Sequence, residues 1–318
     1  MTRRTTALLG CVSVAAVVAL TGCGSEIEDN EPAAASEDCG TVDMAINPWV
    51  GYESNAHVVG RIAETELGCT VEYKDLDEQT AWKGFEDGSV DVIIENWGHP
   101  ELVKKYIDGA GTAQEAGSTG VDGIIGWYVP PWMAEEYPDI TSWKSLNKYA
   151  DLFETPESDG KGQLLDGDPG YVTYDEALVK NLDLDFKVVV GGSETALIEA
   201  FRSAEENRTP LLAYFYEPQW FFNELDLVQV ELPPYKPGCD ADPEKVDCEY
   251  PPYDLNKIVS TEFAESGSPA YDLVKNFQWT AEDQNTVSQM ISEEGMDPDA
   301  AADAWIADNP DMVEAWLA

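Results

Sequence analysis

From residue 41 onward, short apolar runs alternate with longer segments in which apolar residues recur at helical spacing. This pattern predicts strands at 41–46, 70–73, 91–94 and 124–129 and helices at 53–67, 80–87 and 100–107. The first helix carries Val59, Ile62 and Leu67 on one stripe, and Gly68 follows its end. The alternating order of strands and helices predicts a parallel or mixed sheet covered by helices on both faces.

A second unit of the same kind follows. Strands are predicted at 164–165, 187–190 and 211–216, and helices begin near residue 173 and after Ser193, a predicted N-cap. The tail from residue 270 has a mostly helical pattern. Two α/β units joined by short crossings predict an α/β fold of two lobes with a ligand cleft between them. We predict that residues 39–128 and 235–318 form lobe I and that residues 129–234 form lobe II.

The N-terminal residues have the pattern of an export signal. Two arginines precede an apolar run, residues 7–20, which is too short to span a bilayer comfortably. The run ends in Leu20-Thr-Gly-Cys23, which resembles the lipobox of bacterial lipoproteins. We therefore expect residues 1–22 to be a signal peptide, Cys23 to carry a lipid that anchors the protein to the outer face of the cell membrane, and residues 23–38 to be a flexible acidic tether. The alternative is an ordinary signal peptide with a chance cysteine.

The chain is strongly acidic, with 62 acidic and 18 basic residues and a formal net charge of −44. Such a charge repels nucleic acid and anionic lipid surfaces, so we predict neither as a partner. We expect a monomer. No motif in the sequence indicates a cofactor.

Four cysteines remain beyond the predicted signal peptide and lipidation site: Cys39, Cys69, Cys239 and Cys248. An even number outside the membrane indicates two disulfides. Cys239 and Cys248 lie close together in a Pro-rich acidic loop and are expected to pair. Adjacent first and second strands would bring Cys39 to Cys69. Four cysteines could also bind zinc, but no Cys-x-x-Cys pair exists, so no metal site is predicted.

Aromatic residues lie at the ends of several predicted strands. Trp49, Trp97 and Tyr171 stand next to Pro or Gly just beyond strand ends, and Tyr216 closes the strand at 211–216. In open α/β sheets, ligands bind beyond the carboxyl ends of the strands. If the four rings converge, they form a cage whose faces attract a cation without a counter-charge. A quaternary ammonium suits such a cage, because it is weakly hydrated and has no N–H to donate.

The turn Gly170-Tyr-Val-Thr173 opens a predicted helix. Free backbone N–H groups at a helix start can hold an anion. A cage in one lobe and this turn in the other would hold a zwitterion, with the cleft closing around it.

Four motifs in order resemble the glycine betaine/choline receptors of ABC importers. They are NPWVGYESN at 47–55, DVIIENW at 91–97, Asp168-Pro-Gly170 and Tyr216-Glu-Pro-Gln-Trp220. Ala304-Trp305 and Glu314-Ala-Trp316 near the C-terminus are also similar to that family. The resemblance runs from about residue 41 to the end of the chain.

The resemblance implies a hinge-closing periplasmic-binding-protein fold, similar to type II, and an extracytoplasmic receptor that delivers glycine betaine to an ABC permease and its ATPase. The residues that match the family's aromatic cage are Trp49, Trp97, Tyr171 and Tyr216. Those expected at the ligand carboxylate are Gly170, Val172, Thr173 and His99. His99 stands earlier than its counterpart in the family, and the alternative role for it is to cap the helix that starts at Pro100.

Other functions stay open at this point. Choline, carnitine and proline betaine are alternative ligands of the same fold, and Glu53 or Glu217 near the cage would favour choline, whose hydroxyl needs an acceptor. A surface hydrolase is not expected, because no Gly-x-Ser-x-Gly or His-Glu-x-x-His motif is present and only two histidines, His57 and His99, are available. A purely structural surface lipoprotein would leave the strand-end aromatics unexplained.

Overall fold

The structure, a computed structural model, describes residues 39–318. The predicted signal peptide, the lipidation site at Cys23 and the tether lie outside the described residues. The described strands are β1 (Thr41–Ile46), β2 (Thr70–Asp75), β3 (Val92–Asn96), β4 (Ala113–Val129), β5 (Gly162–Asp166), β6 (Phe186–Val190), β7 (Ala213–Glu217), β8 (Val228–Gln229) and β9 (Tyr253–Ser260). The described α-helices are α1 (Val50–Leu67), α2 (Glu78–Asp87), α3 (Pro100–Leu102), α4 (Pro131–Glu136), α5 (Trp143–Tyr149), α6 (Asp175–Asn181), α7 (Glu194–Asn207), α8 (Thr261–Glu265), α9 (Pro269–Asn276), α10 (Ala281–Ser292), α11 (Pro298–Asp308) and α12 (Pro310–Trp316).

The strands follow one another in the order β2-β1-β3-β9-β4-β7-β5-β6, with β8 beside β4. Strand β1 pairs in parallel with β2 and β3, and β5 pairs in parallel with β6 and β7. Strands β4 and β9 run antiparallel to their neighbours. We call β2-β1-β3-β9 with the first part of β4 sheet A, and the last part of β4 with β7, β5, β6 and β8 sheet B. The predicted α/β class with a mixed sheet is confirmed.

Strand β4 belongs to both sheets. Its residues from Ala113 to Gly123 pair with β9, and those from Ile124 onward pair with β7 and β8. The sequence predicts only 124–129, because three glycines and several polar residues interrupt the apolar pattern of the first part, and its register with β9 shifts twice. Strand β9 escaped prediction as well. The lobe boundaries at residues 129 and 235 stay a prediction.

The first strand and helix place residues 47–50 at the edge of sheet A. Strand β1 has the predicted bounds, and α1 starts at Val50, three residues before the predicted start at 53. Gly68 ends α1 in the left-handed conformation, with φ 70°, and its N–H bonds the carbonyl of Ala63. Because β1 and β3 are parallel neighbours, the segments that follow them meet at one edge. The helix predicted at 100–107 is instead α3 continued by a π-helix, Val103–Gly109.

Both expected disulfides are present, Cys39–Cys69 and Cys239–Cys248. Thr41 of β1 lies opposite Thr70 of β2, so the cysteines that precede these strands are side by side. Within residues 39–318, the helices are all too short or too polar to cross a bilayer.

Opening the Cys39–Cys69 disulfide should destabilise the protein more than opening Cys239–Cys248. The paired cysteines are 30 residues apart in the first case and 9 in the second, so the first disulfide closes the longer loop. Chain entropy alone then corresponds to about 3.7 and about 2.7 kcal/mol of unfolding free energy. Urea unfolding of the two double Cys→Ala variants measures both losses. A larger loss for the Cys239–Cys248 variant would contradict the expectation.

Candidate ligand-binding site

A small cavity of about 20 Å³ lies between sheets A and B. Its lining is almost entirely aromatic and contains no charged side chain: Trp49, Trp97, Ile125, Tyr171, Val172, Tyr214 and Tyr216. Each of the four residues predicted for an aromatic cage lines this cavity. A larger open groove of about 800 Å³ at the amino ends of β1 and β3 has a mixed lining that includes several acidic residues.

The aromatic walls of the cavity meet edge to face. Trp49 and Tyr171 have ring centroids 5.7 Å apart at 89°, and Trp97 and Tyr216 have centroids 5.6 Å apart at 77°. Such edge-to-face pairs are favourable because the positive edge of one ring meets the negative face of the other. The hydroxyl of Tyr171 also donates to the carbonyl of Pro48 at 2.8 Å, which joins the sheet-B side to the sheet-A side.

The carboxylate of Glu95 holds the two indoles. Oε1 of Glu95 accepts from Nε1 of Trp49 and from Nε1 of Trp97, each at 2.8 Å. Its other oxygen, Oε2, accepts from Nδ2 of Asn55 at 2.6 Å and from Nε2 of Gln284 at 2.9 Å. Burial raises the pKa of Glu95 above its ordinary value, and the hydrogen bonds from the indoles oppose that rise.

A second buried carboxylate, Glu194 at the start of α7, connects the two sides of the cavity. It accepts from the backbone N–H of Val50 at 3.0 Å, from the hydroxyl of Tyr216 and from Nε2 of Gln219 at 2.9 Å. Helix α1 has no side-chain cap of its own at Trp49, so Glu194 caps it from the sheet-B side. Burial raises the pKa of Glu194, and the bond from Tyr216 opposes the rise.

Two glycines make room for the rings. A Cβ at Gly123 would lie 2.6 Å from Cζ3 of Trp97, and a Cβ at Gly167 would lie 2.7 Å from Cδ2 of Tyr171. Both distances are shorter than any relaxed carbon–carbon contact. The positions of these two walls therefore require glycine beneath them.

The expected carboxylate-binding turn is only partly at the cavity. Val172 lines it, whereas Gly170 and Thr173 do not. The N–H of Gly170 is bonded to Oδ1 of Asp168 at 2.8 Å. Among the described residues, the N–H groups of Val172 and Thr173 have no acceptor. Tyr214 fixes the turn by donating its hydroxyl to the carbonyl of Val172 at 3.1 Å.

His99 does not line the cavity. Its Nε2 lies 2.7 Å from Oε1 of Glu78 and its Nδ1 lies 3.5 Å from Glu101. Burial is the largest single influence and opposes protonation of His99, but the hydrogen bond to Glu78 and the charges of Glu78 and Glu101 together outweigh it, so the pKa of His99 is raised. Its side chain makes no capping bond to α3 either. His99 stands at the N-cap position of α3 with its imidazole bonded to the buried Glu78 carboxylate, and its role at the ligand carboxylate stays a prediction.

Comparison with known proteins decides the family. Residues 40–308 match the family described as the substrate-binding domain of ABC-type glycine betaine transport systems. The chain belongs to this family. Its members are extracytoplasmic solute-binding proteins that work with an ABC transporter. The expected receptor class is confirmed.

Individual relatives agree with this assignment. The chain is 24% identical over 317 residues to the trimethylamine N-oxide-binding protein of Pelagibacter ubique, covering 93% of this chain and 94% of that protein. Its fold is similar to that of lactococcal OpuAC in the closed form with glycine betaine, with a TM-score of 0.70 and 22% identity. The match covers 88% of this chain and 100% of that chain. The fold is also similar to that of an ABC-transporter choline binding protein in complex with choline, with a TM-score of 0.71 and 20% identity. That match covers 88% of this chain and 92% of that chain. The two-lobed fold is confirmed.

Three residues of this binding domain's site escaped the sequence prediction. Glu95 is an acid inside an otherwise apolar strand, and that mismatch was the available signal. Glu194 follows the N-cap Ser193, where acids are common for reasons of helix stability alone. Tyr214 lies within β7 and was not among the predicted cage residues. Glu53 and Glu217, which would have favoured choline, lie outside the cavity lining.

A third buried acid lies close to Tyr214. Oδ1 of Asp175 accepts from Nε1 of Trp127 at 2.7 Å and from the hydroxyl of Tyr250 at 2.6 Å. Burial, followed by the charge of Asp166, raises the pKa of Asp175 well above its ordinary value. This acid stabilises the support beneath the cage and does not line the cavity.

Replacing Gly123 with alanine should move the Trp97 ring, because the new Cβ would overlap it. Overpacking of this kind costs about 1–3 kcal/mol of unfolding free energy. The near-UV circular dichroism of the tryptophans should change at the same time. Unchanged urea stability together with an unchanged near-UV spectrum would show that the ring is not held against Gly123.

Proposed function

We propose that this protein is the extracytoplasmic receptor of an ABC importer for a small quaternary-ammonium solute. Glycine betaine is the first candidate. The observation that carries the proposal is the cavity enclosed by Trp49, Trp97, Tyr171, Tyr214 and Tyr216. The space between the rings is only about 20 Å³, so a solute has to part the rings to enter, and a small solute is the matching size. The family assignment of the chain supports the same ligand class.

The chemistry of the lining favours a cation without N–H groups. A primary ammonium would need acceptors in the cavity, but the lining side chains offer only ring faces, two aliphatic groups and phenol hydroxyls that are engaged elsewhere. A trimethylammonium group needs contact area and ring faces alone. Each aromatic wall can then contact a methyl group while the charge lies near several ring faces.

The carboxylate of glycine betaine would extend toward the turn after β5. The free N–H groups of Val172 and Thr173 are its proposed donors, and the bond between Gly170 and Asp168 holds the turn in shape. Two N–H donors beside a cation site match a zwitterion.

Trimethylamine N-oxide is the second candidate. The relative that covers 93% of this chain is named as a trimethylamine N-oxide-binding protein. Of the residues expected at a carboxylate, Val172 alone lines the cavity, and the single oxygen of an amine oxide needs fewer donors. Choline would need an acceptor for its hydroxyl, and carnitine and proline betaine are larger than glycine betaine.

We further propose that the receptor is a monomer, anchored to the outer face of the cell membrane by a lipid on Cys23, and that it releases its solute unchanged to the permease and ATPase of the importer. The Leu20-Thr-Gly-Cys23 motif supports the anchor. Binding without reaction fits the cavity, since its lining contains no nucleophile paired with a base.

Trp97→Ala should weaken binding of glycine betaine strongly, because a desolvated cation–π wall is worth about 2 kcal/mol. Isothermal titration calorimetry with glycine betaine, trimethylamine N-oxide, choline, carnitine and proline betaine measures both the preferred solute and the loss. Trp143→Ala, a partly buried tryptophan outside the cavity lining, is the matched control. An unchanged dissociation constant for Trp97→Ala would contradict the assignment of the aromatic cage as the binding site.

Nuclear magnetic resonance of the solute recovered after binding tests whether the protein changes it chemically.

Cys23→Ser should release the exported protein from the membrane fraction, because serine cannot form the thioether to the lipid. Fractionation of cells expressing either form measures the change. Retention of the serine variant in the membrane fraction would contradict the lipid anchor and leave the ligand proposal untouched.

A further inference from the structure

Glu95 is a buried charge that the proposed function does not yet use. Glu95 is 1% exposed. It lies behind the cage, because it bonds to Trp49 and Trp97 but does not line the cavity. The N–H edges of Trp49 and Trp97 point at it from one side. A carboxyl group in this position has either a structural role alone or an effect on the ligand, and its protonation state decides what it can do.

With the amides of Asn55 and Gln284 oriented as they are, the hydrogen bonds around Glu95 require a carboxylate ion. All four contacts to its oxygens come from N–H groups, and an indole nitrogen has no acceptor to offer. The amide oxygens of Asn55 and Gln284 are buried without a partner among the described residues, because both amides turn their NH₂ groups toward Glu95. A protonated Glu95 would need an acceptor, and none of its four contacting groups provides one.

We propose that ionised Glu95 is the counter-charge of the aromatic cage: it positions both indoles and makes the site select a cation over an uncharged group of the same shape. The inference rests on the proposed function and names the determinant of its specificity. Glu95 acts through the tryptophans and is a positioning residue, not a ligand contact.

Two physical effects act in the same direction. The negative charge lies in a buried region where water screens it weakly, so it attracts a cation in the cavity directly. Its hydrogen bonds also polarise the two indole N–H groups, which increases the negative potential at the ring faces. Glu194 backs one further wall through the hydroxyl of Tyr216, but its carboxylate is shared with the N–H of Val50 at the start of α1.

The wild-type protein itself provides the first test. Glycine betaine and 3,3-dimethylbutanoate have the same shape and carboxylate and differ in the replacement of the quaternary nitrogen by carbon. Calorimetry should give a dissociation constant at least about a hundredfold larger for 3,3-dimethylbutanoate. Equal affinity would overturn the inference while leaving the cage in place. If none of this pair, choline, its isostere 3,3-dimethylbutan-1-ol and trimethylamine N-oxide binds, the proposed function itself fails, and the inference with it.

Variants then separate charge from shape. Glu95→Gln should weaken glycine betaine binding about ten- to hundredfold and leave 3,3-dimethylbutanoate binding equal or tighter, whereas a purely structural loss would weaken both alike. Glu95→Gln/Gln284→Glu returns one negative charge to the same hydrogen-bonded cluster and should recover most of the cation affinity. Asp91→Asn, at the opposite end of β3, is the matched control.

Thermal unfolding identifies variants that fail to fold. A swap variant that melts near the wild-type temperature but does not recover affinity overturns the role of the charge. If Glu95→Gln/Gln284→Glu is unfolded, the comparison of wild type with Glu95→Gln decides. The quantity compared is the dissociation constant of 3,3-dimethylbutanoate divided by that of glycine betaine. This ratio should fall when the charge is removed and stay constant if Glu95 is only a support.

Discussion

The architecture of the site depends on a carboxylate kept out of water. A buried carboxylate is costly unless its oxygens are hydrogen-bonded, and Glu95 meets that requirement with four N–H donors. The donors come from separate elements: Trp49 at the end of β1, Asn55 in α1, Trp97 after β3 and Gln284 in α10. Satisfying one charge therefore fixes the meeting point of two strands and two helices, and the cage walls are set by the same contacts.

The sheet provides the second constraint. Because β4 pairs with β9 in its first part and with β7 in its last part, both halves of the molecule share one continuous strand beside the cavity. Gly123 lies where the pairing changes partner, and it is also the position at which Trp97 needs space. The strand that joins the two sheets thus also forms the floor under one wall.

Three of the four predicted cage residues, Trp49, Trp97 and Tyr171, could be found because they follow strands, where a large ring has little reason to be core. Tyr216 lies inside β7 and was found through the motif Tyr216-Glu-Pro-Gln-Trp220. Tyr214 could not be found, since an aromatic residue inside a strand is normally buried for packing. Glu95 and Glu194 each have a partner at least 40 residues away, Asn55 and Val50 respectively, and no local pattern records such pairs. The position of His99 in the chain was equally uninformative, because only the fold brings its partner Glu78 within hydrogen-bond distance. The first half of β4 was missed because glycines hide its strand pattern.

The cap that Glu194 provides to α1 affects how fast the sheet-A and sheet-B sides can separate. The N–H of Val50 and the hydroxyl of Tyr171 are satisfied across the boundary between the sheet-A and sheet-B sides, and water can replace both partners when those sides separate. The exchange at Tyr171 is worth about 1 kcal/mol, roughly a fivefold change in a rate, and the exchange at the Glu194 carboxylate is worth about 1.5–3 kcal/mol, roughly ten- to a hundredfold. The residence time of a solute would then be set jointly by its own contacts with the rings and by these bridging hydrogen bonds. A receptor built this way can hold its cargo firmly in free solution and still give it up when a transporter pulls the two sides apart.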